Sequence, residues 1–311
     1  MKRPFLIAIA LTVFTSRGRA QTTAYGPLAL RLPASARALA MGDIAIAGRD
    51  DDVIFYNPAQ LVVARGTSIS FERIGPELYG GTMSTVLRLG SGGLGFGVNY
   101  LEYRVKTGIY PISRDDILEP APGTVSSTST LATLGFAQVY RGFRFGASAN
   151  YAVDEIGIDR FRNVVGDVGV AHDFGHFTTA LALQHLGTGM DINPPPSTNP
   201  LLTGGSITPP MKATLGGGWA APAGPLDLTA TAAVSATREG HLSPGIGGEA
   251  SWSWLSGYAL SARAGLRHPH GIGDPTLTGG VGFVADRVAI DGAVEFLKAS
   301  RAGFRAGARV R

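Results

Sequence analysis

The chain has 311 residues, with 44 glycines and no cysteine; hydrophobic residues make up 44% and charged residues 16%. Without cysteine there is no disulfide, no thiolate metal centre and no lipid-bearing N-terminal cysteine. No apolar run approaches the ~20 residues of a membrane-spanning helix, so the hydrophobic content is spread over short segments.

Residues 1–20 read as a secretory signal. Lys2 and Arg3 are its basic part, Pro4 to Phe14 its apolar part, and Gly18-Arg19-Ala20 its cleavage site. The segment holds four of the 27 basic residues and none of the 23 acidic ones, so the remaining chain is balanced at 23 each. A neutral chain carries no electrostatic footprint for nucleic acid.

Residues 21–66 form a segment of their own, without strand periodicity. Gly42 and Gly48 permit tight turns, and Asn57-Pro58 starts a turn. Arg37, Arg49 and Asp50-Asp51-Asp52 concentrate charge just before an apolar run. In a mixed-charge lumen those groups would find partners such as Arg88, Asp167 or Arg263. A solvated turn or helix cap is the alternative reading of the aspartates. They lack the alternating spacing of a calcium loop, and no metal site is expected.

From residue 67 onward apolar and polar residues alternate. In 288–296, Val288, Ile290, Val294 and Phe296 share one face, with Asp291 and Glu295 on the other. Fourteen strands are predicted: 67–73, 80–89, 93–104, 127–140, 143–155, 164–174, 177–187, 211–220, 226–237, 244–254, 258–267, 275–285, 288–298 and 302–311. Most suit a tilted bilayer crossing of ~9–11 residues. Every second connection is short, whereas 105–126 and 188–210 are long, the sorting an outer-membrane barrel shows.

Turn chemistry suggests a register. A three-residue turn at Leu255-Ser256-Gly257 sets Trp254 opposite Tyr258 and Glu249 opposite Arg263. Another at Ala299-Ser300-Arg301 sets Phe296 opposite Phe304, Glu295 opposite Arg305 and Asp291 opposite Arg309. Both put aromatics on one face and opposite charges on the other. The reading is an all-β, transmembrane, antiparallel up-and-down barrel over 67–311, apolar side to lipid and charge pairs to the lumen. A soluble barrel turned inside out predicts the same alternation. A ring of about fourteen strands is too wide for its own side chains to fill, so residues 21–66 are the candidate plug.

That segment carries a resemblance. Ala36-Arg37-Ala38, Met41-Gly42, Asp50-Asp51-Asp52 and Asn57-Pro58-Ala59 match, in order and spacing, the N-terminal signature of the PorV/PorQ group within the FadL-like superfamily of fatty-acid porins. Leu32-Pro33-Ala34-Ser35-Ala36-Arg37 is nearer the PorQ form. The C-terminus, Ala308-Arg309-Val310-Arg311, departs from the terminal aromatic that many outer-membrane barrels carry.

The resemblance implies a plugged channel for small hydrophobic solutes, with an apolar pocket beside residues 40–60. Its alternative is an accessory of type IX secretion that contacts exported proteins through the 194–210 loop. A structural barrel without a transport path is a third possibility. Partners would be outer-membrane lipid and a hydrophobic small molecule or exported proteins. No enzyme chemistry is expected: there is no Gly-x-Ser-x-Gly elbow, Gly92 to Gly97 has no following helix to bind phosphate, and His268-Pro-His270 lacks a third metal ligand. No cofactor is implied.

Overall fold

After residue 66 one apolar side chain in two is the period of a strand with one face in an apolar medium. Fourteen such strands close into a single antiparallel barrel. The computed structural model describes residues 24–25, 27–75, 77–107, 123–156, 159–192, 205–238, 240–268, 275–297 and 302–311. The signal segment 1–20, most of the 105–126 loop, the 193–204 part of the second long loop, the Ala299–Arg301 turn and His270 lie outside them.

In chain order the elements are β1 (Ala24–Tyr25), a 3-10 turn (Leu28–Leu30), α1 (Ala36–Ala40) and two further 3-10 turns (Asp51–Phe55 and Pro58–Val62). Then come β2 (Gly66–Ile74), β3 (Leu78–Leu89), β4 (Gly92–Thr107), β5 (Gly123–Tyr140), β6 (Phe143–Ile156), β7 (Asp159–Phe174), β8 (Phe177–Leu186), β9 (Met190–Ile192) and β10 (Gly205–Thr208). They are followed by β11 (Lys212–Ala223), β12 (Leu226–Thr237), β13 (Leu242–Leu255), β14 (Tyr258–Arg267), β15 (Thr276–Ala285), β16 (Val288–Phe296) and β17 (Ala302–Val310). The barrel comprises β2–β8 and β11–β17, and β17 closes against β2. Closure leaves no strand edge unpaired.

One rim carries two-residue turns at 90–91, 141–142, 175–176, 224–225, 256–257 and 286–287. Each holds a residue at positive φ: Gly90, Arg141 and Gly142, Gly175, Gly224, Gly257 and Asp286. Such turns match the strand twist. Gly66 and Val310, the ends of the barrel, lie at this rim. The other rim carries the long connections 108–122 and 187–211. Sequence reading missed that the second contains β9 and β10, which join β1 in a separate three-stranded sheet. Residues 24–25 therefore stand at the long-loop rim, and residues 27–65 lead from there to the short-turn rim.

The large aromatics of the last five strands face outward: Trp252, Trp254, Phe283, Phe296 and Phe304 are 47%, 45%, 39%, 55% and 58% exposed. The inward face buries Glu72, Ser84, Asn99, Asn150, Asp167, Arg263, Asp291, Glu295, Arg305 and Arg309. A soluble barrel would reverse this arrangement. Apolar side chains so exposed all round the wall are the arrangement expected of a barrel whose outer face meets an apolar medium.

Two registers differ from the turn-based expectation. Tyr258 pairs with Leu255 rather than Trp254, through a bulge between Ser253 and Leu255; Glu249 nevertheless stands opposite Arg263. In the last hairpin the shift is two residues. Phe296 pairs with Ala302 and Phe304 with Val294, so Glu295 faces Gly303, Asp291 faces Gly307, Arg305 faces Ala293 and Arg309 faces Ala289. The ladder stops at Phe296 and Ala302, so residues 297–301 intervene, more than a three-residue turn. A two-residue shift preserves which face each side chain takes.

Candidate functional site

The inward face of the wall is built around residues 27–65. Where the wall has glycine, that segment presses on it. A Cβ at Gly280 would lie 2.6 Å from Ala40 Cβ, at Gly245 2.8 Å from Ile44 Cδ1, and at Gly216 2.9 Å from Ile46 Cγ2. At Gly247 and Gly265 it would meet the backbone of Met41 and Gly42, at Gly93 that of Leu61, at Gly146 that of Pro58 and Ala59, and at Gly169 the Asn57 amide. Contacts under 3.0 Å to backbone leave no room for a side chain. Glycine marks the seat of the segment on strands from opposite sides of the barrel.

The signature residues have local structural jobs. Ser35 caps α1, its Oγ accepting from Ala38 N at 3.0 Å and donating to Asp52 Oδ2 at 2.5 Å. Met41 is buried. Gly42, at φ +72, donates its N–H to Thr278 Oγ1 at 3.1 Å, and that hydroxyl donates to the Ala40 carbonyl. Asn57 Oδ1 accepts from Ala59 N at 3.0 Å, and Asn57 Nδ2 donates to the Ile46 carbonyl at 3.2 Å. Pro58 occupies the first position of the 3-10 turn, where no N–H is missed. Asn57-Pro58-Ala59 is thus a side-chain-capped turn, fully buried against the wall.

The charges fasten the segment to the wall. Arg37 makes a two-pronged contact with Glu249 at 2.9 Å on both prongs and a further bond to Asp50 at 2.9 Å. Asp50 also binds Arg309, and Arg311 at 2.8 Å. Asp51 Oδ2 accepts from Ser68 and from Ser84. Arg49 lies 3.7 Å from Asp173. Of the wall partners expected from sequence, Asp167 is engaged with Ser148, Asn150 and the backbone N–H of His185. Arg263 binds Glu249 and Asp291.

Three adjacent aspartates therefore differ in state. Burial disfavours the Asp50 carboxylate, but Arg309, Arg37 and Arg311 outweigh it and hold its pKa well below the usual range. Burial raises Asp51 against two serine hydroxyls. Burial, together with Asp50 and Asp51, raises Asp52 to about 7.

Of the remaining predicted charge residues, Glu295 and Arg305 pair outside the last hairpin. Glu295 binds Arg267, which also reaches Asp43 at 3.1 Å. Arg305 binds Glu72 at 2.5 Å across the closing seam. Asp291 takes Arg263 at 2.6 Å and Arg309 at 3.6 Å.

One sector of this polar lining is apolar. Inward-facing Leu78, Leu101, Leu131, Ala152 and Val165 of β3–β7 form a buried cluster with Ala29 and Leu30, bordered by Leu32, Phe55 and Ile74. A second cluster joins Val53, Ile54, Leu61 and Val62 to Val86 and Ala137. Where an apolar pocket was expected beside residues 40–60, the clusters centre on residues 29–32 and 53–62 and are filled by the chain's own side chains.

No family model and no curated protein sequence matches the chain. Among solved structures, the Pseudomonas putida toluene transporter TodX is similar over 90% of this chain and 98% of its own, with a TM-score of 0.63 and 12% identity. The likeness is one of fold. The Ralstonia pickettii toluene transporter TbuX shares it at TM-score 0.57 and 13% identity, over 91% of this chain and 98% of its own. So does the CymD monoaromatic hydrocarbon channel, at TM-score 0.59 and 10% identity, over 92% and 97%.

Proposed function

We propose that the chain is an outer-membrane channel for small hydrophobic solutes, plugged by its N-terminal segment. The apolar sector Leu78, Leu101, Leu131, Ala152 and Val165 carries this reading. A lumen lined only with ion pairs and amides would reject a hydrocarbon, since entry would strip water from groups the solute cannot satisfy. An apolar sector along one wall supplies a surface from which water is displaced favourably. The fold shared with toluene and monoaromatic hydrocarbon channels points the same way. No catalytic role is proposed. Assignment to the PorV/PorQ subgroup, and with it contact with exported proteins, rests on the motif residues between 28 and 61.

The test is uptake of radiolabelled toluene by outer-membrane-enclosed cells with and without the chain. A severalfold faster uptake is expected, with no gain for a sugar of similar size. Equal toluene uptake, or a gain confined to the sugar, contradicts a hydrophobic path.

A further inference from the structure

We propose that the wall site now holding Ala29 and Leu30 binds a small apolar molecule carrying one neutral hydrogen-bond donor, an alcohol or a phenol, which displaces residues 27–32. This deepens the channel reading and rests on it.

Four consecutive strands turn polar side chains inward around this site: Asn99 on β4, Ser129 on β5, Asp154 on β6 and Asn163 on β7. Ser129 is the ladder partner of both Leu101 and Asp154, and Asn163 pairs with Ala152, two residues from Asp154. The site already treats a polar group with an aliphatic body as its occupant. Ala29 N–H donates to Ser129 Oγ at 3.2 Å, and Asn99 Nδ2 donates to the Ala29 carbonyl at 3.5 Å. The Ala29 and Leu30 side chains rest in the leucine cluster.

The occupant satisfies the site incompletely. Asn99 Oδ1, Asp154 Oδ1 and Asn163 Nδ2 are shut off from solvent without a hydrogen-bond partner among the described residues. Asn99 is 1% exposed and Asn163 9%. Buried polar atoms are almost always paired, and those that are not call for an explanation. Two of the three are acceptors, so the missing partner is a donor. A hydroxyl would donate to one of them, while its own oxygen accepts from Asn163 Nδ2. A carboxylate brings negative charge and no proton to two acceptors, and a bare hydrocarbon leaves all three atoms as they are. Phe161 is the ladder partner of Asp154 and shares its inward face.

The test uses the full chain in detergent, with toluene, 4-methylphenol and 4-methylbenzoate as probes. Equilibrium binding is expected to rank 4-methylphenol about tenfold tighter than toluene, as one added hydrogen bond to a buried acceptor implies, with 4-methylbenzoate weakest. Asp154→Leu should bring 4-methylphenol down to the toluene value, while Asp154→Asn, which keeps an acceptor, should retain the preference. Asn99→Leu is the parallel variant if Asp154→Leu does not assemble. Because the chain has no cysteine, Ala29→Cys reports on the segment, and its maleimide labelling should rise at least tenfold at saturating 4-methylphenol. Equal binding of toluene and 4-methylphenol overturns the donor preference and leaves the channel reading standing. Unchanged labelling at saturation overturns displacement. Failure of all three probes to bind removes the channel reading as well.

Discussion

Asp50 and Asp52, two residues apart, respond to pH in opposite senses. Asp50, held low by three arginines, contributes to seating of the segment above the ordinary carboxylate range and loses that contribution as acid protonates it. Asp52, raised to about 7, contributes fully below its ordinary value of 3.8, and this is lost as pH rises through about 7. Residues 27–65 should therefore show higher amide protection factors, corrected for the intrinsic exchange rate, at pH 5 than at pH 8, and Asp52→Asn should remove most of the difference. Equal protection of the unmodified chain at both pH values would contradict this. Arg263 bridges Glu249 and Asp291 while only 3% of its side chain is exposed. Arg263→Ala leaves Glu249 to Arg37 and Asp291 to Arg309 at 3.6 Å, and should cost about 3 kcal/mol, the lower end for a broken buried pair, read from urea unfolding followed by gel mobility. A loss under ~1 kcal/mol would mean the cluster is screened like surface pairs. Parity along each strand told from sequence which charges face inward, but not who meets whom. Arg305 finds Glu72 only because β17 closes on β2, and no local register contains that partner.

At the scale of elements, the strands were legible because alternation and turn glycines act locally. Their ends were less so: β4, β5 and β7 extend beyond the predicted stretches, through Lys106-Thr107, Gly123 to Ser126 and Asp159 to Asn163. Those ends approach the long-loop rim, where apolar alternation fades while the backbone ladder continues. The last hairpin slipped by two residues because pairing there is fixed by β15 on one side and β2 on the other, not by the turn alone. The sequence assigned the strand glycines no partner, and the structure shows what takes the place of their side chains: residues 40–61. The β1–β10 pairing had no sequence signal, since two paired residues make no period.

Viewed whole, the barrel turns most of its large aromatics outward and its ion pairs and amides inward, and the leucine sector of β3–β7 is the apolar exception on the inner face. It also sorts its connections: one rim has two-residue turns throughout, and both long connections stand at the other. The N-terminal segment enters at the long-loop rim beside β10 and reaches β2 at the opposite rim, so the barrel must close around it. The decisive measurement is a disulfide. Gly218 faces inward, and a Cβ there would stand 3.4 Å from Ala47 Cβ, close to the ~3.5–4.5 Å a disulfide requires. Gly217, its neighbour, is on the opposite face with Leu215, which is exposed. In outer membranes, Ala47→Cys with Gly218→Cys should cross-link under mild oxidation within a heat-modifiable monomer, and Ala47→Cys with Gly217→Cys should not. A bond formed at 217 but not at 218, or at neither in an assembled barrel, would contradict a segment seated inside a lipid-facing wall.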